Sequence, residues 1–229
     1  MTISIVGDVN PDQVKSLAKK YFGRFPTTTK PPQLTAFEPP QTETKEVTIE
    51  YPSQPWYLEG YHIPSIKDSD YVVYEILSAI LSDGRTSRLY QSLVEEQQIA
   101  LTAAGYSGFP GDKYPNLMLF YAISAPNHSL EDLATALETE IELLKNEPVS
   151  PEELERVKTQ AKASLLRSLD SNSGMANLLA EYQAKTGNWR HLFTRLDEIA
   201  SVTADDIQRV AQKTFTPENR TIGRLLTKQ

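Results

Sequence analysis

Apolar residues alternate with polar ones in some stretches of this chain and recur every three or four positions in others. The order of those two patterns predicts the architecture. Residues 2–6 read as a short strand closing at Gly7-Asp8. A helix start follows, with Asn10 as its cap, Pro11 at the first helical position and Gln13 placed to complete a capping box. Val14, Leu17, Ala18 and Tyr21 form its apolar stripe, and Gly23 stops it. Residues 45–51 alternate with Val47 and Ile49 on one face. Residues 56–63 set Tyr57, Tyr61 and Ile63 against Leu58 and His62. Both are predicted strands, expected to pair antiparallel across Pro52-Ser53-Gln54-Pro55. A helix over 70–81 carries Val73, Ile76, Leu77 and Ile80 on one side, Gly84 breaks it, and a second helix runs over 87–98.

Strands are predicted over 101–107 and 117–125, joined by a turn-rich segment at 108–115. Helical spacing then takes over. Ser129 caps a helix with Leu133, Leu137, Ile141 and Leu144, and Ser150-Pro151-Glu152-Glu153 opens another with Leu154, Val157, Ala161 and Leu165. Further helices are expected over 175–185, 192–199 and 203–214, and a last strand over 220–226. This order does not alternate strand with helix, so the fold class is α+β, an antiparallel sheet with helices packed on one face.

Pro26 to Pro40 holds five prolines in 15 residues, a composition that forms a semi-rigid spacer. The run into 220–226 echoes residues 2–6, so the head reads as the close of an upstream copy of the same domain. Three segments are therefore expected: 1–25 as the terminal strand and helix of that copy, 26–43 as a proline-rich linker, and 44–229 as the main domain. About 20 residues bury too little apolar area to stand alone, so the head is expected to pack on something else.

Composition narrows function mainly by exclusion. With 23 Lys and Arg against 30 Asp and Glu, the net charge of −7 argues against nucleic acid as a partner. Residues 1–25 carry +2, from Lys15, Lys19, Lys20 and Arg24 against Asp8 and Asp12, which sets the head apart. No apolar run reaches the roughly 18 residues of a membrane span. There is no cysteine, hence no disulfide, thiolate ligand or cysteine nucleophile. Cysteine usage leaves the compartment open between bacterial cytoplasm and periplasm.

The three histidines, His62, His128 and His191, lie more than 60 residues apart, and HExxH and HxxEH are absent. None is expected to pair with a second histidine or a carboxylate one helical turn away. GxSxG is absent, and Gly105-x-x-Gly108-x-x-Gly111 reads as a hairpin turn because no Lys-Ser/Thr or helix follows it. The carboxylates Glu95-Glu96 and Glu138, Glu140 and Glu142 read as solvated faces. Trp56, Tyr57 and Tyr61 are open to a ligand-patch reading, but core and sheet packing is the expectation. From the residues themselves, no catalytic and no metal-binding residue is assigned.

Three motifs stand in a characteristic order. They are Ile5-Val6-Gly7-Asp8 leading into Tyr21-Phe22-Gly23, then Gly84-x-x-Ser87-Arg88-Leu89-Tyr90-x-x-Leu93, then Ser150-Pro151-Glu152-Glu153-Leu154. Together they resemble the M16 zinc metallopeptidases, the processing-protease and insulin-degrading-enzyme group, over nearly the whole chain. The resemblance implies tandem α+β domains that face each other as a clamshell around an unfolded or extended peptide. One domain supplies HxxEH and a distal Glu for zinc; the opposing half supplies an Arg and a Tyr seven residues apart. Here the Arg position falls on Val94 and the Tyr position on Leu101, and neither can donate a hydrogen bond to a polarised carbonyl. The resemblance therefore implies a non-catalytic C-terminal domain that closes the peptide chamber and pairs with an M16-type subunit or a second copy. Zinc is then expected in the parent protein or partner subunit. An inactive scaffold subunit is the alternative. Gly84, Ser87, Arg88, Leu89, Tyr90 and Leu93 are expected to be structural or interface residues.

Overall fold

The computed structural model describes residues 2–25, 34, 36 and 38–228. Most of the proline-rich linker at 26–43 lies outside the described residues. Five strands form one sheet: β1 (Lys45–Tyr51), β2 (Trp56–Ile63), β3 (Ala100–Phe109), β4 (Asn116–Ser124) and β5 (Arg220–Thr227). The spatial order is β1-β5-β2-β4-β3. Three of the four pairings are antiparallel, and β1 runs parallel to β5. The α+β expectation therefore holds, with one parallel edge.

The expected β1–β2 hairpin is not formed, because β5 lies between its two strands. The four-residue, two-proline link is wider than a tight hairpin turn and passes around the end of β5. Its geometry is fixed there: Tyr51 O accepts from Ser53 N and Lys228 N at 2.8 and 3.0 Å, and Thr227 Oγ1 donates to Ser53 O at 2.8 Å. Residues 2–6 are not a strand either. Thr2 to Ile5 instead line a cavity of about 300 Å³ with Leu179, Ala180, Gln183 and Trp189, and they pair with no strand of the sheet.

The helices are α1 (Pro11–Phe22), α2 (Tyr71–Ser82), α3 (Leu130–Asn146), α4 (Pro151–Leu169), α5 (Asn172–Thr186), α6 (His191–Ser201) and α7 (Ala204–Thr214). Their starts follow the sequence signals. Asn10 Oδ1 accepts from Asp12 N and Gln13 N, and Ser150 Oγ accepts from Glu153 N. Ser129 and Thr203 form capping boxes with Asp132 and Asp206. Buried residues are absent from α1, whose Leu17, Tyr21 and Phe22 stay exposed.

Helices α2, α3 and α7 pack on one face of the sheet, and α4, α5 and α6 form an outer layer. Strand parity decides what is buried. Met118, Phe120 and Ala122 of β4 and Tyr57, Tyr61 and Ile63 of β2 enter the core beneath the helices. Each fully buried side chain of that size contributes roughly 1.5–3 kcal/mol. Gly105 of β3 is required by close packing, since a Cβ there would sit 2.2 Å from the Phe120 ring.

Candidate functional site

The helix-Gly-helix joint takes an unexpected form. Gly84 adopts φ +75°, a conformation that glycine enters without strain. Gly84 O accepts from Ser87 Oγ at 2.8 Å, and Ser87 is fully buried. The helix predicted over 87–98 is a π-helix at Tyr90–Glu96, preceded by a turn of α-helix. Gln97 N bonds to Ser92 O at 3.0 Å, five residues back. This wide winding brings Leu89 and Leu93 into the core, both fully buried. Tyr90 is half-buried, and Glu95 beside its hydroxyl raises its pKa.

Arg88 links this joint to the third motif. Its Nε and Nη2 donate to Glu153 Oε1 and Oε2 at 3.0 and 2.7 Å, and Glu153 is at the start of α4. Hydrogen bonding to Glu153 pushes the guanidinium pKa further up. Arg156, one turn along α4, donates to Thr86 Oγ1 at 2.9 Å. Arg88 thus ties the joint to the N-terminus of α4, and Ser87, Leu89 and Leu93 are fully buried beside it.

A second polar cluster was missed in the sequence. Glu59 is completely buried on the helix side of β2 and forms an ion pair with Arg220 Nε. Tyr57 OH donates to Glu59 Oε1 at 3.3 Å and accepts from Arg220 Nη2 at 3.2 Å. Arg220 Nη1 reaches Glu138 of α3 at 3.4 Å. Burial pushes the Glu59 carboxyl up to about 6 against the pull of Arg220, and Glu59 Oε2 has no hydrogen-bond partner among the described residues. One signal was available: Glu59 shares the strand parity of Tyr57 and Tyr61, the positions read as core.

The opposite face of the sheet is apolar, and no helix in the described residues packs over it. The register places Val47 and Ile49 of β1, Leu225 of β5, Trp56 and Leu58 of β2, and Leu119, Tyr121 and Ile123 of β4 on this side. All are exposed or half-buried. Trp56 stacks on Tyr121 with ring centroids 5.6 Å apart. A shallow groove of about 360 Å³ runs along Val47, Ile49, Trp56, Leu58 and Leu225. The packing expectation thus holds for Tyr57 and Tyr61 but not for Trp56, which faces outward. Contiguous apolar surface of this kind marks an interaction site.

Val94 packs against the core, and Leu101 is exposed at a bulge in β3. Among the described residues, no three His, Cys, Asp or Glu side chains gather where they could hold a metal ion. His62 Nε2 lies 3.3 Å from Glu38. His128 departs from expectation: Asp132, four residues on, is 3.9 Å from its Nδ1. That carboxylate already accepts from Ser129 N in the α3 capping box, so the pair serves a helix end. No described helix is long and apolar enough to cross a membrane.

An α+β domain of this kind presents a surface and an ion-paired joint, with no grouped metal ligands among its described residues. The family profile of the peptidase M16 inactive domain matches residues 1–161, and the chain belongs to that family. It is 28% identical to the zinc protease PqqE of Helicobacter pylori over 217 residues, covering 93% of this chain and 48% of that protein. The crystal structure of a protease from Helicobacter pylori superposes with a TM-score of 0.88 at 28% identity, covering 96% of this chain and 53% of the other. The inactive peptidase domain of a Bordetella parapertussis protein gives a TM-score of 0.68 at 29% identity, covering 76% of this chain and 93% of that one. The chain spans about half the length of the curated relatives it matches.

Proposed function

We propose that this chain is the non-catalytic C-terminal part of an M16 zinc metallopeptidase and that its open apolar sheet face walls the chamber holding an extended peptide. The observation that carries this reading is the continuous apolar face around Trp56 and Tyr121, in a chain of the inactive-domain family. An extended peptide presents alternate side chains to such a wall, where burying each apolar group contributes about 25 cal/mol per Å². Zinc then belongs to another part of the parent or to a partner subunit, and no catalytic step is assigned to this chain. The boundaries at 1–25, 26–43 and 44–229 belong to the same reading. So does pairing with an M16-type subunit or a second copy. Gly84, Ser87, Arg88, Leu89, Tyr90 and Leu93 hold the joint that fixes α4 and the sheet relative to each other.

Val94 and Leu101 favour a second reading, an inactive scaffold subunit. Metal content and peptide turnover separate the two. On the peptidase reading, the full-length parent carries stoichiometric zinc and cleaves a fluorogenic peptide, while residues 1–229 alone do neither. A parent lacking both zinc and turnover would leave only the scaffold.

A further inference from the structure

Residues 38–44, which lead into β1, are fastened to the domain at separate points. Thr44 Oγ1 donates to Pro217 O at 2.7 Å, and Gln41 Nε2 donates to Arg220 O at 2.6 Å. Gln41 Oε1 accepts from Thr221 Oγ1 at 3.2 Å, so one side chain grips β5 as donor and as acceptor. Further out, Glu38 Oε2 lies 3.3 Å from His62 Nε2, and Glu38 Oε1 lies 3.8 Å from Lys45 Nζ. His62 shares the strand parity of Trp56 and Leu58, so the segment crosses one end of the open sheet face. Leu34, Pro39, Pro40, Tyr114 and Pro115 line a cavity of about 420 Å³ there. Over such a void the segment forfeits close apolar contact, which leaves its polar contacts to hold it.

We propose that residues 38–44 are a strap whose outer clasp, Glu38 on His62, tightens in acid and loosens above neutral pH. Histidine is the side chain that changes charge between pH 5 and 8. Carboxylates, ammonium groups and phenols ordinarily keep their charge state across that range. A neutral imidazole can donate from Nε2, but a protonated one makes a charge-assisted bond of roughly twice the strength. The charged or titratable groups beside His62 on this side are Glu38, Lys45 and Tyr114. Lys45 shares Glu38 in both states, so the imidazole supplies the pH dependence. The inference goes beyond the chamber-wall reading and stands without it.

Exposure sets the size of the effect. The His62 side chain is 35% exposed and that of Glu38 60%. An ion pair that open to water shifts an equilibrium about two- to fivefold. The clasp therefore tunes the strap, while Gln41 and Thr44 hold it in both states. Glu59 titrates in an overlapping window, but from the helix side of β2, where it pairs with Arg220. Because the Arg220 carbonyl also holds Gln41, a Glu59 variant is the control that separates the two groups.

The 229-residue chain has no cysteine, so a nitroxide attached to Thr42→Cys, an exposed position in the strap, reports on it alone. Electron paramagnetic resonance reads its mobile and immobile populations at pH 5.5 and 8.0, and circular dichroism checks the fold of each variant. The mobile-to-immobile ratio should be about two- to fivefold higher at pH 8.0. His62→Gln and Glu38→Gln should each abolish that difference, and Glu59→Gln should leave it in place. Gln41→Ala should raise the mobile population at both pH values. The proposal is overturned by a ratio that does not change with pH, by a difference that survives His62→Gln, or by one lost only in Glu59→Gln. A strap equally immobile in Gln41→Ala would overturn it as well.

Discussion

Arg88 and Glu153, 65 residues apart in sequence, form a two-pronged ion pair that joins the π-helical joint to the N-terminus of α4. Both side chains are about four-fifths buried. Planar bidentate pairing of this kind is geometrically specific, and a lysine cannot reproduce its fork. Arg88→Ala should lower unfolding free energy by about 1–3 kcal/mol, since it strands a partly buried carboxylate. Arg88→Lys should recover little of that loss. Urea denaturation of the single variants and the Arg88→Ala/Glu153→Ala double variant measures the coupling. Additive losses would show that the pair does not hold the joint.

Gly84 isolates a conformational effect from a steric one. Nothing lies within 4 Å of a Cβ built there, yet φ is +75°. Gly84→Ala should therefore cost about 1–2 kcal/mol from backbone strain alone. Gly84→Asn should cost less, because asparagine tolerates the left-handed region.

Gly105 is the opposite case, with the Phe120 ring in the way. Gly105→Ala should cost about 1–3 kcal/mol through overpacking. Trimming the ring in Gly105→Ala/Phe120→Leu should relieve part of the overpacking, so the double variant should lose less than the two single losses added. Thermal melts of the three variants check both positions.

Glu59 predicts a pH dependence with a definite sign. Its folded pKa is raised from 4.5 to about 6, so the folded state holds the proton more tightly than the unfolded state. The resulting stabilisation is fully present below about pH 4.5 and is lost as pH rises through about 6. A shift of that size corresponds to about 2 kcal/mol. The groups facing Glu59 are Arg220, Tyr57 and Glu138. Unfolding free energy of the wild type minus that of Glu59→Gln should fall by about that amount between pH 4.5 and 6.5. A flat difference across the range would contradict the burial argument.

Much of the fold is written in periodicity. The ranges of β1, β2, α2, α3 and α7 follow their apolar spacing and caps, since local propensity and tertiary packing agree there. What local pattern does not encode is adjacency. The insertion of β5 between β1 and β2 pairs residues 159 to 176 positions apart, and only closure of the whole chain reveals it. The π-helix is likewise invisible in spacing, because a pair four residues apart such as Leu89 and Leu93 suits α and π windings alike. Residues 2–6 have strand composition without a strand neighbour, so composition alone misassigns them. The joint residues could be named from their motif, but the partner of Arg88 could not. Glu153 belonged to a motif read only as a helix start. The open face was half legible: Val47 and Ile49 were placed on one side, yet Trp56 was assigned to packing until the register put it beside Tyr121.

The open sheet face is proposed to hold peptide for chemistry performed elsewhere. The most direct test is steady-state cleavage of a fluorogenic peptide by the full-length, zinc-loaded parent carrying Trp56→Asp with Tyr121→Asp. With zinc content and circular dichroism unchanged, KM should rise at least tenfold while kcat changes little, because the wall binds peptide and carries no catalytic group. Unchanged KM in that variant would mean that the face does not hold the substrate.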